Sequence, residues 1–263
     1  MTIIESTNKK AKDLKGIHLY HYRKSNCSMR VRIVLEEKKL PWTSHHLDLR
    51  PAENVTKDYF SIHPKGLVHT LIHDGVIHIE STDILKHLDK TFPKPCLQPT
   101  NDADKKNMFY WMDLAADNHI HVKAYMFAHQ IGASMSKTDK ELSEYYKLQD
   151  NTELLKFHAE NSSAEGLSKK RIAIAIETLH DCFSSIERQL DMQNWIVGSA
   201  FSLADITWIP LFITLRNAGF PFSDYPNTTK WAAMIESRPS FHKAVTEWIK
   251  EPQESTKTLT EKY

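Results

Sequence analysis

The spacing of apolar residues changes character once along this chain, and that change sets the architecture. Between residues 17 and 92, strand-like alternation and helix-like spacing take turns; from Asp102 onward almost only the helical period of three to four remains. Pro93, Pro95 and Pro99 punctuate the stretch between the two regimes. Such an order predicts a compact α/β domain followed by an all-helical one.

Within the first regime, Ile17-His18-Leu19-Tyr20-His21-Tyr22 alternates and is rich in strand formers, and residues 27–39 place Val31, Val34 and Leu35 on one helical face. The far side of that helix carries Arg30, Arg32, Glu36 and Glu37. Pro41 stops it, residues 42–49 follow as a second strand, and residues 54–62 as a helical segment. Pro64-Lys65-Gly66 is a turn, residues 67–73 and 76–79 make a hairpin about Asp74-Gly75, and Ser81 caps a helix to Phe92 with Ile84, Leu85 and Leu88 inward.

The expected domains are therefore a flexible leader at 1–15, an α/β domain at 16–93, a linker at 94–101, a helical domain at 102–250 and a disordered tail at 251–263. In the helical domain the periodicity predicts helices over 104–132, 168–190, 202–217, 228–237 and 240–250. Residues 136–166 are polar and weakly periodic, an irregular insertion or a short helix. Only seven glycines serve 263 residues, which agrees with a mostly helical chain.

Lys and Arg number 34 against 33 Asp and Glu, a formal charge of +1, so no basic field exists to hold nucleic acid. The first residues lack the apolar core of a secretory signal, and no apolar run approaches the roughly 18 residues of a membrane span. Cys27, Cys96 and Cys182 are odd in number and far apart, which fits free thiols in a reducing, cytoplasmic setting.

Three short segments point to chemistry. Ser25-Asn26-Cys27-Ser28-Met29-Arg30 joins the first strand to its helix, where backbone N–H groups and the helix dipole stabilise a thiolate or another anion. The plainer alternative is Ser25 or Asn26 as N-cap and Cys27 as a small buried apolar residue. Glu80-Ser81, at the next strand–helix junction, offers a carboxylate and a hydroxyl to an amino-acid headgroup, or simply an N-cap. Ser202 and Asp205 have capping-box spacing, which is a folding signature.

Taken in order, these segments and the loop Pro64-Lys65-Gly66-Leu67-Val68 resemble the cytosolic glutathione transferases, over about residues 16–250. The run Ser-Asn-Cys-Ser-Met-Arg-Val-Arg is similar to the Ser-Ser-Cys turn of the zeta class and to the Ser-x-Cys-Ser-Met turn of the tetrachlorohydroquinone dehalogenases. Chain length and the polar insertion resemble the bacterial β-etherases. The resemblance implies a thioredoxin-like N-terminal domain that binds glutathione as co-substrate and a helical domain that receives a small, hydrophobic, aromatic electrophile. It also implies a homodimer. Ser25 is then the thiol-activating donor, with Ser28 as the β-etherase-like alternative. Cys27 is a possible thiolate for reductase or reductive dehalogenase chemistry. Lys65, Val68, Glu80 and Ser81 contact the tripeptide, and Tyr110 and Tyr125 border the electrophile pocket.

At one position the chain departs from that family. Where the family carries a proline after Val68, in a cis peptide, this sequence has His69. A cis bond before a non-proline residue costs roughly 2.5–4 kcal/mol against about 0.5–1 before proline. The sequence leaves three outcomes open: a cis bond that brings an imidazole near the thiol site, a trans loop with disturbed pairing, or a member of the fold that binds without catalysing. Fifteen histidines do not combine into a metal site by spacing, since His45 and His46 point to opposite strand faces and His119 and His121 diverge on a helix.

Overall fold

The computed structural model describes residues 3–4, 8–49, 52–149 and 151–250. The expected tail at 251–263 lies outside the described residues. The chain order is β1 (Ile3–Ile4), α1 (Lys9–Asp13), β2 (Ile17–His21), α2 (Asn26–Glu37), β3 (Thr43–His46), α3 (Lys57–Phe60), β4 (Thr70–His73), β5 (Val76–His78) and α4 (Ser81–Thr91). The helical domain holds α5 (Asp102–Asp117), α6 (His119–Met126), α7 (Asp139–Leu148), α8 (Thr152–Ser162), α9 (Lys169–Asp191), α10 (Leu203–Asn217) and α11 (Pro226–Glu236). Two short helices close it, α12 (Pro239–Phe241) and α13 (Glu247–Lys250), with a π-turn at residues 242–246 between them.

The sheet order is β1-β5-β4-β2-β3, with β2 and β3 parallel and the other pairs antiparallel. This is the thioredoxin-like arrangement that the family resemblance implies, and an all-helical domain follows it. Pairing sorts side chains to two faces. His45 stacks on Tyr20 on one face, while His46 meets His21 and Trp248 on the other.

Three sequence expectations change. Within the leader expected at 1–15, described residues join the fold: Ile3 and Ile4 pair with His78 and Ile77, and Ala11 is buried beside Ile77 and Ile79. The open edge of β5 supplies the backbone partners. Gly75, with φ +81°, makes room for α1, because a Cβ there would lie 2.2 Å from the Lys12 carbonyl oxygen. Residues 136–166 hold two helices, each with a side-chain cap: Thr138 and Glu141 form a capping box before α7, and Asn151 accepts from Leu154 N–H before α8. Finally, the helix expected over 104–132 is divided at Asn118 into α5 and α6 and ends in a π-turn at 127–131.

The largest correction concerns α2. Arg30 and Arg32, expected on its solvent side, are 1% and 0% exposed. The helix lies between the sheet domain and the helical domain, so both of its sides are covered. Arg30 Nε donates to Thr207 O at 2.9 Å on α10, and Arg32 Nε to Ala244 O at 2.6 Å. On the same helix, Glu37 accepts from Arg238 at 2.7 and 2.8 Å and also from Ser240 Oγ.

The main core fills the space between these layers, with Trp208, Trp231, Phe183 and Phe212 among its largest members. Asp205, fully buried, accepts from Ser202 N–H, Ser202 Oγ, Ile196 N–H and Trp231 Nε1. Burial pushes its carboxyl up to about 6 against the opposing pull of those four bonds. At the domain junction Lys38 Nζ meets Asp89 at 2.7 Å and donates to Phe92 O and Pro95 O, which pins the linker. No helix among the described residues is long and apolar enough to cross a membrane, and all three cysteines are unpaired.

Candidate active site

Ser25 is the N-cap of α2. Its Oγ accepts from Ser28 N–H at 3.3 Å, which leaves the hydroxyl hydrogen available to a ligand at the helix start. Asn26 opens the helix and is tied across the domain boundary, its Oδ1 accepting from Thr214 Oγ1 at 2.5 Å. Cys27 is half-buried. Ser28 is fully buried, and its Oγ accepts from Tyr22 N–H at 3.3 Å, so it faces the interior of the turn.

The guanidinium of Arg30 joins two of the sequence motifs. Its Nη1 reaches Ser81 Oγ at 3.0 Å and Cys27 Sγ at 4.0 Å, and its Nη2 reaches Ala115 O at 3.5 Å. Burial pulls the Arg30 pKa below the usual arginine range, while Cys27 acts in the opposite direction. An arginine keeps its charge through such a shift, so a cation lies behind both the Cys27 thiol and the start of α4.

Glu80 precedes α4 with φ 66° and ψ 114°, a backbone conformation that non-glycine residues avoid. Its carboxylate projects into solvent and pairs with Lys65 Nζ at 3.0 Å, the two side chains being about half exposed. The Lys65 carbonyl accepts from Gln149 Nε2 at 2.5 Å, which latches the α7–α8 segment onto this loop. Lys65 thus pairs with Glu80, and Ser81, next in the chain, is joined to Cys27 through Arg30.

The Val68–His69 peptide is cis. The His69 side chain turns inward, and neither ring nitrogen has a hydrogen-bond partner. Burial first, then His63, Arg30 and His119, push its pKa down to about 3, with the Val68 backbone opposing slightly. The imidazole is neutral at physiological pH and is an acceptor as well as a donor. His63 is pushed down to about 4 and His119 to about 3, burial being the main cause for each.

Tyr110 and Tyr125 are not brought into this group. Tyr110 is 59% exposed on α5, and Tyr125 packs edge-on against Phe220 in the helical core. Residues to which the sequence assigned no role at this site lie near it instead: Arg30, His63, His119 and Gln149. Arg30 had one readable signal, since Met29 and Ile33 lie off the Val31-Val34-Leu35 stripe and give the helix a second apolar side. Among the described residues no group of three His, Cys, Asp or Glu side chains is placed to hold a metal ion.

Family patterns decide what this architecture is. The pattern of the glutathione S-transferase N-terminal domain matches residues 19–96 and that of the C-terminal domain matches residues 127–239. The chain belongs to the glutathione S-transferase family. Among its relatives is a probable maleylacetoacetate isomerase of Vibrio cholerae, 25% identical over 237 residues, which cover 89% of this chain and 97% of that protein. The transcriptional regulator URE2 of Saccharomyces cerevisiae is 23% identical over 252 residues, or 88% of this chain and 68% of that one. In structure, the β-etherase LigF of Sphingobium sp. strain SYK-6 superposes with a TM-score of 0.80 at 24% identity, covering 87% of this chain and 98% of LigF. The family and the fold agree; the names of the relatives span enzymes and a regulator.

Proposed function

We propose that this glutathione S-transferase family member binds glutathione along the crevice from Glu80 to Cys27 and activates its thiol for attack on a small, hydrophobic electrophile with an aromatic ring. The observation that carries this reading is the Arg30 guanidinium, buried within reach of both Cys27 Sγ and Ser81 Oγ. It gives the sulfur end and the amino-acid end of a bound tripeptide one shared positive charge. Glu80 and Lys65 would receive the ammonium and carboxylate of the γ-glutamyl unit, and the Val68 backbone the cysteinyl unit.

A free thiol with a pKa of about 8.5 is mostly protonated at neutral pH. The Ser25 hydroxyl, donating to sulfur at the helix terminus, favours the thiolate. Attack then forms a C–S bond; the leaving group departs with its electron pair, and the thiol proton passes to solvent. Ser28, with its hydroxyl turned into the fold, is less suited to this role than Ser25. A dimer and a cytoplasmic setting belong to the same proposal.

The half-buried Cys27 beside Arg30 favours a second reading, disulfide chemistry. The Cys27 thiolate would attack the sulfur of a glutathionyl adduct. An S–S bond forms, the C–S bond breaks with its electron pair on carbon, and that carbon takes a proton. A second glutathione thiolate then frees Cys27 as oxidised glutathione leaves.

Retention on immobilised glutathione and turnover of chlorodinitrobenzene test the main reading. Loss of one charge-assisted bond in Ser25→Ala lowers kcat/KM by about ten- to a hundredfold, whereas Cys27→Ala retains turnover. Abolition by Cys27→Ala would replace the Ser25 mechanism with the disulfide one. Flow-through of the unmodified protein would leave a non-catalytic member of the fold.

A further inference from the structure

Three consecutive backbone carbonyls in the loop after α3 are each held by a side chain. Leu67 O accepts from Tyr59 Oη at 2.7 Å, Gly66 O from Asn54 Nδ2 at 2.6 Å and Lys65 O from Gln149 Nε2 at 2.5 Å. The first two donors precede the loop closely in the same domain. Gln149 is 84 residues away, at the junction of α7 and α8 in the helical domain. The amide side of the loop is held as well: Lys65 N–H donates to His63 Nδ1 at 3.1 Å and Gly66 N–H to His63 O at 2.8 Å. Gly66 has φ +56°, and a Cβ there would lie 2.5 Å from the Phe60 ring, so the loop fits closely over α3.

Gln149 is itself fixed. It is 3% exposed, and its Oε1 accepts from Asn151 N–H at 3.0 Å just before α8. The α7–α8 segment is in turn tied to the body of the helical domain. Lys137 N–H donates to Ser162 Oγ at 2.9 Å, Asn161 Nδ2 donates to Gly132 O at 3.0 Å, and Glu160 pairs with Arg171 on α9 at 2.6 Å. A buried amide is costly to leave without its partners, so the bond to Lys65 O is not a casual surface contact. The loop held in this way carries Lys65, whose Nζ pairs with Glu80, and Val68, three residues on. A loop already fixed in its bound conformation spares a ligand the entropy of ordering it.

We propose that Gln149 is a positioning residue for glutathione: from the helical domain it fixes the backbone at Lys65, so that the Lys65 ammonium and the Val68 backbone meet the tripeptide already in place. The inference rests on the transferase reading above for its ligand. Gln149 acts through Lys65, so its effect falls on the binding of glutathione and not on the chemical step. The α7–α8 segment thereby gains a role in the site, although its residues supply no group to the sulfur.

Two variants separate the bond to Lys65 from the rest of what Gln149 does. Gln149→Glu keeps an oxygen for Asn151 N–H but offers no donor to Lys65 O at neutral pH, whereas Gln149→Met, of similar length, loses both bonds. Urea unfolding identifies a variant that fails to fold, and the other then carries the comparison. The readouts on the full chain are calorimetric binding of S-methylglutathione, and kcat and glutathione KM with chlorodinitrobenzene. Both variants weaken S-methylglutathione and raise glutathione KM about fivefold, the worth of one neutral hydrogen bond, and leave kcat at saturating glutathione unchanged. A merely structural role would lower stability without that split. Unchanged affinity and KM in the folded variants overturn the proposal, as does a fall in kcat with KM unchanged. An effect in Gln149→Met alone also overturns it, because it would assign the residue to Asn151 and α8. Calorimetry decides the matter even where chlorodinitrobenzene is not turned over. If the unmodified protein does not bind S-methylglutathione, the transferase reading itself fails, and Gln149 has no tripeptide to position.

Discussion

His21 ties the pH dependence of folding to a single atom. Its ring is fully buried; Nε2 lies 2.8 Å from Ser44 Oγ, and Nδ1 lies 3.0 Å from Arg32 Nη1. A guanidinium only donates, so Nδ1 must be the bare nitrogen and Nε2 must carry the proton. A second proton would set two donors and two cations against each other. Burial first, then Arg32, His46 and His45, push the His21 pKa down to about 2 from 6.5. Because the folded value lies below the unfolded one, the associated stability is complete above about pH 6.5 and is lost as pH falls toward 2. At about pH 5, 1.5 units below the unfolded value, the loss is about 2 kcal/mol, from ~1.36 kcal/mol per unit.

Urea unfolding at about pH 7.5 and about pH 5 measures this loss. His21→Gln keeps an acceptor for Arg32 and cannot titrate, so its loss between the two pH values is smaller than that of the unmodified protein by about 2 kcal/mol. The comparison of differences cancels the structural cost of the substitution and the contributions of other groups. Asp205 is one of these: its raised value of about 6 makes the fold gain stability as pH falls through that region. Equal losses in the two proteins would refute the assignment of His21 as a buried neutral acceptor.

Two further substitutions separate folding from binding. Asp205→Ala strands the donors of Ile196, Ser202 and Trp231 in the core and lowers stability by about 3–5 kcal/mol, read by chemical denaturation. Glu80→Gly relieves an unfavourable backbone conformation and raises stability by about 1 kcal/mol, while removal of the carboxylate weakens glutathione retention; a drop in both would contradict the reading of φ 66°.

The fold was legible where its causes are local. Alternation in residues 17–22, the Asp74-Gly75 turn and the Ser202–Asp205 box each act over a few residues, and each appears as expected. The insertion was harder because its helices are polar on the outside, although Thr138 and Glu141 had the spacing of a capping box. The Val31-Val34-Leu35 stripe of α2 set Arg30 and Arg32 on its far side, and only the second apolar side at Met29 and Ile33 hinted at their burial. Their burial depends on Thr207 and Ala244, far along the chain and in the other domain. The conformation at Val68–His69 was left open by the sequence for a similar reason: local preference favours trans, and the surrounding fold decides.

The bond from Thr214 to Asn26 has a consequence for how the two halves of such a chain evolve and recombine. Asn26 begins the helix whose first turn presents Ser25 and Cys27, so the posture of that turn is steadied from α10, nearly two hundred residues downstream. A chimaera that pairs this sheet half with a foreign helical half inherits the Ser25–Arg30 turn intact in writing, yet without its distant strut. Interchange of halves is therefore constrained at a single buried hydroxyl, that of Thr214.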